Sequence, residues 1–362
     1  MKNKKIVIAG GTGFIGQSLA RYFGKENQVT ILSRQITNQQ TNSYHSAAIK
    51  NESDDSIRYV KWDAVNLETN WTDTLEGADL LINLTGQSVN CRYTEKNKKR
   101  VLDSRIYSTR ALGEAIEKCK NPPLVWINSS SATIYQHSLS KPNDEETGTI
   151  SKWKKDNMPY SLLDKVRFRI KKIYRQLKYG ADNPKTKDLE LDFSIKVCQS
   201  WEKEFFASKT LSTRKIALRM AIALGEGGVL APLSRLAKWG LGGIQGNGKQ
   251  RFSWVHIDDL MRIIEWVTEK QEIEGVLNVS APNAVTNTEL MQQIRKFNGR
   301  HFGLPAPAFL LEMGAALIGT ETELILKSRW VVPKRLSDNG FTFRYPTLAD
   351  ALNNIFKKEN RI

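Results

Sequence analysis

Residues 5–16 read Lys5-Ile6-Val7-Ile8-Ala9-Gly10-Gly11-Thr12-Gly13-Phe14-Ile15-Gly16, and this stretch decides the fold. Lys5 to Ala9 is an almost unbroken apolar run rich in β-branched residues, the pattern of a strand buried on both faces. Gly10, Gly13 and Gly16 follow at GxxGxxG spacing, and Gln17 to Phe23 reads as a helix. Glycines here allow a tight turn, let the backbone approach a pyrophosphate and let the helix pack on the strand. The helix N-terminus adds free N–H groups and a partial positive charge. A glycine triplet alone would signify only a tight turn. With strand, turn, helix and second strand in order, dinucleotide binding is the stronger reading, and Gly10, Thr12, Gly13, Phe14, Ile15 and Gly16 are its residues.

The second strand, Val29 to Ser33, runs directly into Arg34. An acidic residue at this strand end would hold a ribose 2′-hydroxyl and repel a 2′-phosphate. No Asp or Glu follows closely, and Arg34 offers a planar charged donor array with the Ser33 hydroxyl beside it. NADP(H) is therefore expected in preference to NAD(H). The competing view of Arg34 is an ordinary solvated arginine.

Further strands are predicted near Ile57 to Trp62, Asp79 to Leu84, Leu124 to Ser129 and Lys215 to Leu224. Glu95 to Lys118, read as one long helix or two, and the helical segment Ile195 to Ala207 lie between them. Alternation of this kind predicts an α/β fold: a Rossmann doubly wound parallel sheet with a smaller C-terminal α/β substrate domain. Residues 1–225 are assigned to the NADP-binding Rossmann domain, with a basic insertion at about 138–191. Residues 226–362 form the substrate-type domain, with some return of chain to the Rossmann sheet near 254–280. Gly225 to Gly248 is glycine-rich and reads as a loop crossing between the two. Beyond it come a helix after Asp258, which would be its N-cap, a strand at Val276 to Ser280, and helices near Thr288 to Phe297, Ala308 to Ile318 and Thr347 to Phe356.

The composition, 40% hydrophobic and 25% charged over 362 residues, is that of an ordinary globular protein. Cys91, Cys119 and Cys198 are scattered, with no CxxC or His-rich spacing, so no metal site or disulfide framework is expected and a reducing compartment fits. The N-terminal apolar run is too short for a signal peptide, and no uninterrupted apolar stretch reaches the roughly 20 residues of a membrane span. A cytoplasmic protein without integral membrane association is expected. The net charge of +16 is concentrated: residues 151–178 carry ten Lys or Arg against Asp156 and Asp164, half of the whole excess. Because interleaved aromatic platforms are missing, nucleic acid is not an expected partner. Leu163, Val166, Ile170, Ile173 and Leu177 recur at steps of three and four, predicting a basic amphipathic helix. Such a helix can dock as a lid over the cofactor cleft, touch an anionic membrane through residues 161–178, or grip an acidic partner. Docking is preferred, because the insertion leaves and re-enters the fold beside the cleft.

The chain resembles the extended short-chain dehydrogenase/reductases, and within them the YfcH-like epimerase-family proteins. The resemblance is carried by Gly10 to Gly16, Ile82 to Gly86, Leu102 to Arg105, Ile127 to Ser130, Val197-Cys198 with Trp201-Glu202, Ser253 to Asp259 and Asn278 to Thr286. Gly340 to Leu348 is typical of that family's C-terminal domain of unknown function. The resemblance implies that Asp63 sits near the adenine, that Leu84, Thr85 and Gly86 pass beside the cofactor, and that Arg105 joins the cofactor-binding set. Members of that family are often named epimerases or oxidoreductases without an established substrate, so a small-molecule substrate is expected whose identity, like the oligomeric state, stays open.

In the wider superfamily a Ser or Thr and a Tyr-x-x-x-Lys pair perform the chemistry, with Tyr as general acid/base. Ser129 to Tyr135 is similar to the fifth-strand motif of sugar-nucleotide epimerases, which implies that Ser131 polarises the substrate oxygen; alternatively these serines merely satisfy a buried strand end. Counting back from Glu202 puts Ser194 at the tyrosine position and Cys198 at the lysine position, and neither substitutes directly. A literal YxxxK at Tyr174 to Lys178 lies outside the helix that leads into the sixth strand. Cys198 is retained as a candidate acid or nucleophile, against its reading as a small buried hydrophobe. His256 and Asp258 read as capping and packing residues. Arg219 and Arg251 are candidates for holding an anionic substrate, or else plain surface charge. Two functions follow: an NADP(H)-dependent oxidoreductase or epimerase-like enzyme transferring hydride at a hydroxyl or carbonyl carbon, or a non-catalytic NADP(H)-binding regulatory or redox-sensing protein.

Overall fold

The structure, a computed structural model, describes residues 1–36, 56–151, 174, 193–307 and 327–359. Side chains of the first strand, β1 (Lys5–Ala9), alternate between two separate cores: Ile6 and Ile8 enter one, Val7 and Ala9 the other. That is the geometry a two-sided apolar strand demands, since successive side chains point to opposite faces. The first core takes Leu19 and Phe23 from α1 (Phe14–Phe23) and Leu260, Ile263 and Ile264 from α6 (Ile257–Glu269). The second takes Trp71 from α2 (Thr69–Thr72), Leu112 and Ile116 from α3 (Glu95–Lys118) and Phe205 from α4 (Phe193–Ala207).

Seven strands form the central sheet: β1, β2 (Gln28–Ser33), β3 (Ile57–Lys61), β4 (Leu80–Asn83), β5 (Val125–Ser131), β6 (Arg214–Met220) and β10 (Gly275–Val279). They are parallel throughout, in the order β10-β6-β5-β4-β1-β2-β3. The order reverses between β1 and β4, and the crevice outside the strand ends at such a reversal is where open α/β sheets take ligands. The doubly wound Rossmann sheet read from the sequence is thus the fold of this protein.

Three expectations need correction. The run Lys215 to Leu224 is two strands: at Ala221 the chain bonds Val279, and Ile222 then bonds Ser253, so β7 (Ile222–Leu224) pairs in parallel with β9 (Trp254–His256) in a second sheet. The glycine-rich stretch 225–248 contains a helix, α5 (Leu230–Lys238), whose Leu230 and Ala237 enter a third core. Helix α6 is capped by His256 rather than Asp258: the His256 Nδ1 accepts from the Asp258 N–H at 3.0 Å. Asp258 and Asp259 then occupy the first turn, where negative charge is favoured.

The third core joins α5 to Trp254, to Leu290, Met291 and Ile294 of α7 (Asn287–Phe297), and to Leu348, Ala351, Leu352 and Ile355 of α9 (Leu348–Glu359). A short strand β8 (Arg251–Phe252) pairs antiparallel with β11 (Val285–Thr286) at its margin, and a short helix α8 (Lys334–Asp338) packs near β10. The expected helices at 163–177 and Ala308 to Ile318 lie outside the described residues. Tyr174 is described and exposed. No helix among the described residues is long and apolar enough to cross a membrane.

Candidate functional site

The glycine turn joins β1 to α1 at the reversal of strand order. Gly10 has φ +75°, and a Cβ there would stand 2.9 Å from the Thr85 backbone, so the turn and the end of β4 are pressed together. Gly16 is closed in the same way, because its Cβ would meet the Gly11 Cα at 2.5 Å. Gly13 is different: it is exposed, and nothing lies within 4 Å of where its Cβ would be. Gly10 and Gly16 therefore answer to the protein's own packing, whereas Gly13 opens onto free space at the N-cap of α1. No acidic residue stands in the first turn of α1 and no side chain caps it, so its first N–H groups would suit an anion. Thr12, Phe14 and Ile15 are half-buried around the turn. This cradle fits a dinucleotide pyrophosphate.

At the end of β2, Ser33 is buried and its hydroxyl is used locally, donating to the Gln35 carbonyl at 2.9 Å. Arg34 beside it is exposed. Asp63, after β3, serves its own turn: its carboxylate accepts from the N–H groups of Val65 and Asn66, both at 2.8 Å. Burial pushes this carboxyl upward, but those hydrogen bonds prevail and hold it below the ordinary carboxylate value.

The end of β4 is fixed by amides. Asn83 Nδ2 donates to Asn128 Oδ1 at 2.7 Å and to Thr109 Oγ1 at 3.1 Å, while its carbonyl accepts from the Thr85 N–H at 3.0 Å. Trp201 Nε1 also donates to Thr109, at 2.9 Å. Leu84 and Thr85 are half-buried and Gly86 exposed, and a Cβ on Gly86 would meet the Arg105 guanidinium carbon at 2.9 Å. Arg105 reaches across from α3, donating to the carbonyls of Gln87 and Val101 at 3.1 and 2.9 Å and lying 5.1 Å over the Trp201 ring. Burial pulls this guanidinium below its ordinary value, with the Cys198 thiol and Tyr93 phenol opposing.

Around the end of β5 the polar groups consume one another. Ser131 Oγ donates to Thr133 Oγ1 at 3.0 Å and accepts from the Thr133 N–H at 3.2 Å, capping the short 3-10 turn Ala132–Ile134. Ser130 donates to Glu202 at 2.6 Å. Arg219, read from the sequence as a cleft or surface charge, is instead buried and bidentate to Glu202, with Nε–Oε1 of 2.9 Å and Nη2–Oε2 of 2.8 Å. Its third nitrogen donates to the Tyr135 hydroxyl, which donates to Asn278 Oδ1, both at 2.9 Å. Burial pulls the Arg219 guanidinium down, but Glu202 outweighs it and holds the group above its ordinary value. Cys198 is buried and packed against Ala132, Ile134 and Tyr135. Arg251 stacks 4.5 Å over Trp330 and lines a small cavity with Lys327 and Arg329. Those two cations reach the turn after Ser131, through Thr133 O at 3.3 Å and Thr133 Oγ1 at 3.1 Å. Sequence reasoning missed Thr109, Lys327 and Arg329, which sit in no motif, and passed over Thr133 although it lies inside the Ser129 to Tyr135 motif.

The family model for the NAD dependent epimerase/dehydratase family matches residues 6–280. The chain belongs to that family. A second model, a domain of unknown function (DUF1731), matches residues 306–355, as expected of the C-terminal segment. The chain is 29% identical to the epimerase family protein YfhF of Bacillus subtilis (strain 168) over 351 residues, covering 97% of each. It is 27% identical to the human epimerase family protein SDR39U1 over 360 residues, covering 97% of this chain and 99% of the human one. The crystal structure of human SDR39U1 (isoform 2) with NADPH superposes with a TM-score of 0.71 at 27% identity, over 97% of this chain and 99% of that one. MoeE5 in complex with UDP-glucose and NAD, 18% identical with a TM-score of 0.64 over 99% of both chains, shares the fold.

Proposed function

We propose that this family member is an NADP(H)-dependent oxidoreductase or epimerase-like enzyme acting on a small anionic molecule. The observation that carries the reading is the pairing of Gly13, open on its Cβ side at the start of α1, with an exposed Arg34 at a β2 end that lacks an acid. The first suits a pyrophosphate, the second a 2′-phosphate. The match to a structure with NADPH supports the same choice. A bound NADP(H) would supply or accept a hydride at a hydroxyl or carbonyl carbon.

The chain's own contribution is orientation and charge. Asn83 fixes the Thr85 backbone beside the glycine turn, and Ser131 stands at the end of β5, where a substrate oxygen would have to take its hydroxyl from Thr133. Arg251, Lys327 and Arg329, which line one small cavity beside the turn after Ser131, favour an anionic substrate by raising its local concentration. The test is reduced-nicotinamide absorbance across a panel of phosphorylated and carboxylated carbonyl compounds, with Ser131→Ala as control. Turnover that requires Ser131 supports the enzyme; turnover untouched by Ser131→Ala removes that residue from the chemistry.

A second reading, a non-catalytic NADP(H)-binding regulatory or redox-sensing protein, is favoured by one observation. Ser131 is spent on capping its own turn, and Ser194 and Cys198 stand on α4 in place of a phenol and an amine. NADPH binding without turnover on any panel member would select it.

A further inference from the structure

Helix α4 carries Ser194 and Cys198 one turn apart, and residues four apart lie on the same helix face. The Ser194 hydroxyl is too weak an acid to donate a proton to a substrate oxygen and then hold the resulting anion, and the Cys198 thiol is buried among Ala132, Ile134 and Tyr135. Two groups from elsewhere in the chain reach this face. Tyr93, in the loop between β4 and α3, meets the ring of Phe193 edge-on with centroids 5.0 Å apart, and its hydroxyl lies 3.4 Å from the Ser194 Oγ. It directly precedes Thr94, whose side chain caps α3 by accepting from the Asn97 N–H, so the phenol stands at a fixed helix start. Arg105, three turns along α3, lies 5.1 Å over the Trp201 ring, one turn beyond Cys198 on α4, and the Cys198 thiol and the Tyr93 phenol both favour its charged form. Its hydrogen bonds go only to the main-chain carbonyls of Gln87 and Val101, and no carboxylate among the described residues pairs with it. The same guanidinium presses on Gly86 at the end of β4, and Cys198 packs on the turn that follows Ser131. A phenol, an arginine without a carboxylate and the serine end of β5 thus meet around one face of α4.

We infer that Tyr93 is the proton-transfer group of this site and that Arg105 is the cation that stabilises its phenolate, the pair being supplied from the loop before α3 and from α3 itself. The inference rests on the proposed hydride-transfer function. In the reducing direction the substrate carbonyl carbon gains a hydride from the reduced nicotinamide dinucleotide, and the carbonyl oxygen takes the Tyr93 hydroxyl proton. The products are the alcohol, the oxidised dinucleotide and, beside Arg105, a Tyr93 phenolate; the phenolate then regains its proton from water. In the oxidising direction the phenolate takes the alcohol proton as hydride leaves the carbon. A neighbouring guanidinium favours the charged phenolate, which brings proton affinity toward the working range of a general acid/base.

The decisive readout needs neither substrate nor cofactor. Tyrosine ionisation is followed by near-ultraviolet absorbance, with Tyr93 isolated as the difference between the unmutated protein and Tyr93→Phe. Arg105→Gln is expected to raise the Tyr93 proton affinity at least about tenfold, and Arg105→Lys, which keeps a charge should the glutamine variant fold poorly, to restore most of the shift. A Tyr93 titration indifferent to both replacements overturns the assignment. Where the carbonyl panel gives turnover, Tyr93→Phe is expected to lower kcat by about a hundredfold or more, and retained kcat overturns it equally. NADPH binding to the unmutated protein is measured alongside. Its absence would sink the proposed function, whereas binding together with an Arg105-independent phenol would sink this inference alone.

Discussion

The glycine turn after β1 and the polar cluster after β5 stand at the same edge of the sheet, yet they are built on opposite plans. In the turn, the groups that matter face outward: Gly13 has empty space beyond it, and Arg34 is exposed. In the cluster, Ser130, Glu202, Arg219, Tyr135 and Asn278 satisfy one another in the interior. A site that waits for a ligand leaves donors uncommitted, and a buried charge pair can stay buried only if it does not. On the proposed function, the cluster is architecture supporting the cleft, and the turn is where the dinucleotide would be received.

The largest effect that could break this contrast lies in the cluster. Glu202→Ala leaves the Arg219 guanidinium buried without its carboxylate and strips an acceptor from Ser130, so unfolding by urea should show a loss of about 3–5 kcal/mol. A loss below about 1 kcal/mol would mean that water reaches Arg219 and that the cluster is open after all. Within the turn, two identical replacements should separate structure from binding. Gly10→Ala forces a left-handed backbone and a collision with Thr85, and should cost about 1–3 kcal/mol of stability. Gly13→Ala meets no protein atom, so stability should hold while NADPH affinity, read by fluorescence, falls about tenfold or more, or about 1.4 kcal/mol. Matching losses of stability for the two would erase the distinction between packed and open glycines.

The smallest effect concerns Glu145, which accepts from the Asn278 N–H at 2.8 Å on the flank of the cluster. Burial pushes this carboxyl above its ordinary 4.5. The folded state therefore binds this proton more tightly than the unfolded chain. Its ionisation weakens the fold at neutral pH, and that penalty is relieved as pH falls through the raised value toward 4.5. Glu145→Gln removes the titration while keeping an acceptor. Its stability advantage over the unmutated protein should be greatest near neutrality and shrink on acidification, followed by thermal unfolding across pH. An advantage independent of pH would show that Glu145 is solvated.

The same contrast explains what the sequence could disclose. β1, the glycine turn and α3 are written in contiguous residues, so their reading needs only local period and spacing, and α3 spans Glu95–Lys118 as predicted. The division of 214–224 at Ala221 escaped because both pieces are apolar and the cause is a change of partner, from Val279 to Ser253, far along the chain. Helix α5 escaped because the glycines flanking Leu230–Lys238 dominate the local signal, although its apolar positions fall on one face. Arg219 looked available because its carboxylate sits on the preceding helix, and one strand's sequence does not disclose what lies across from it. Tyr93 sits in no motif just ahead of the α3 start, and only the approach of α3 to α4 puts it beside Ser194.

The central claim is that this turn receives a dinucleotide carrying a 2′-phosphate, and calorimetric titration of the unmutated protein with NADPH and with NADH tests it most directly. The account predicts NADPH binding at least about tenfold tighter, a difference of about 1.4 kcal/mol, that vanishes in Arg34→Gln because the exposed guanidinium is its source. Equal affinities for the two cofactors in the unmutated protein would contradict it.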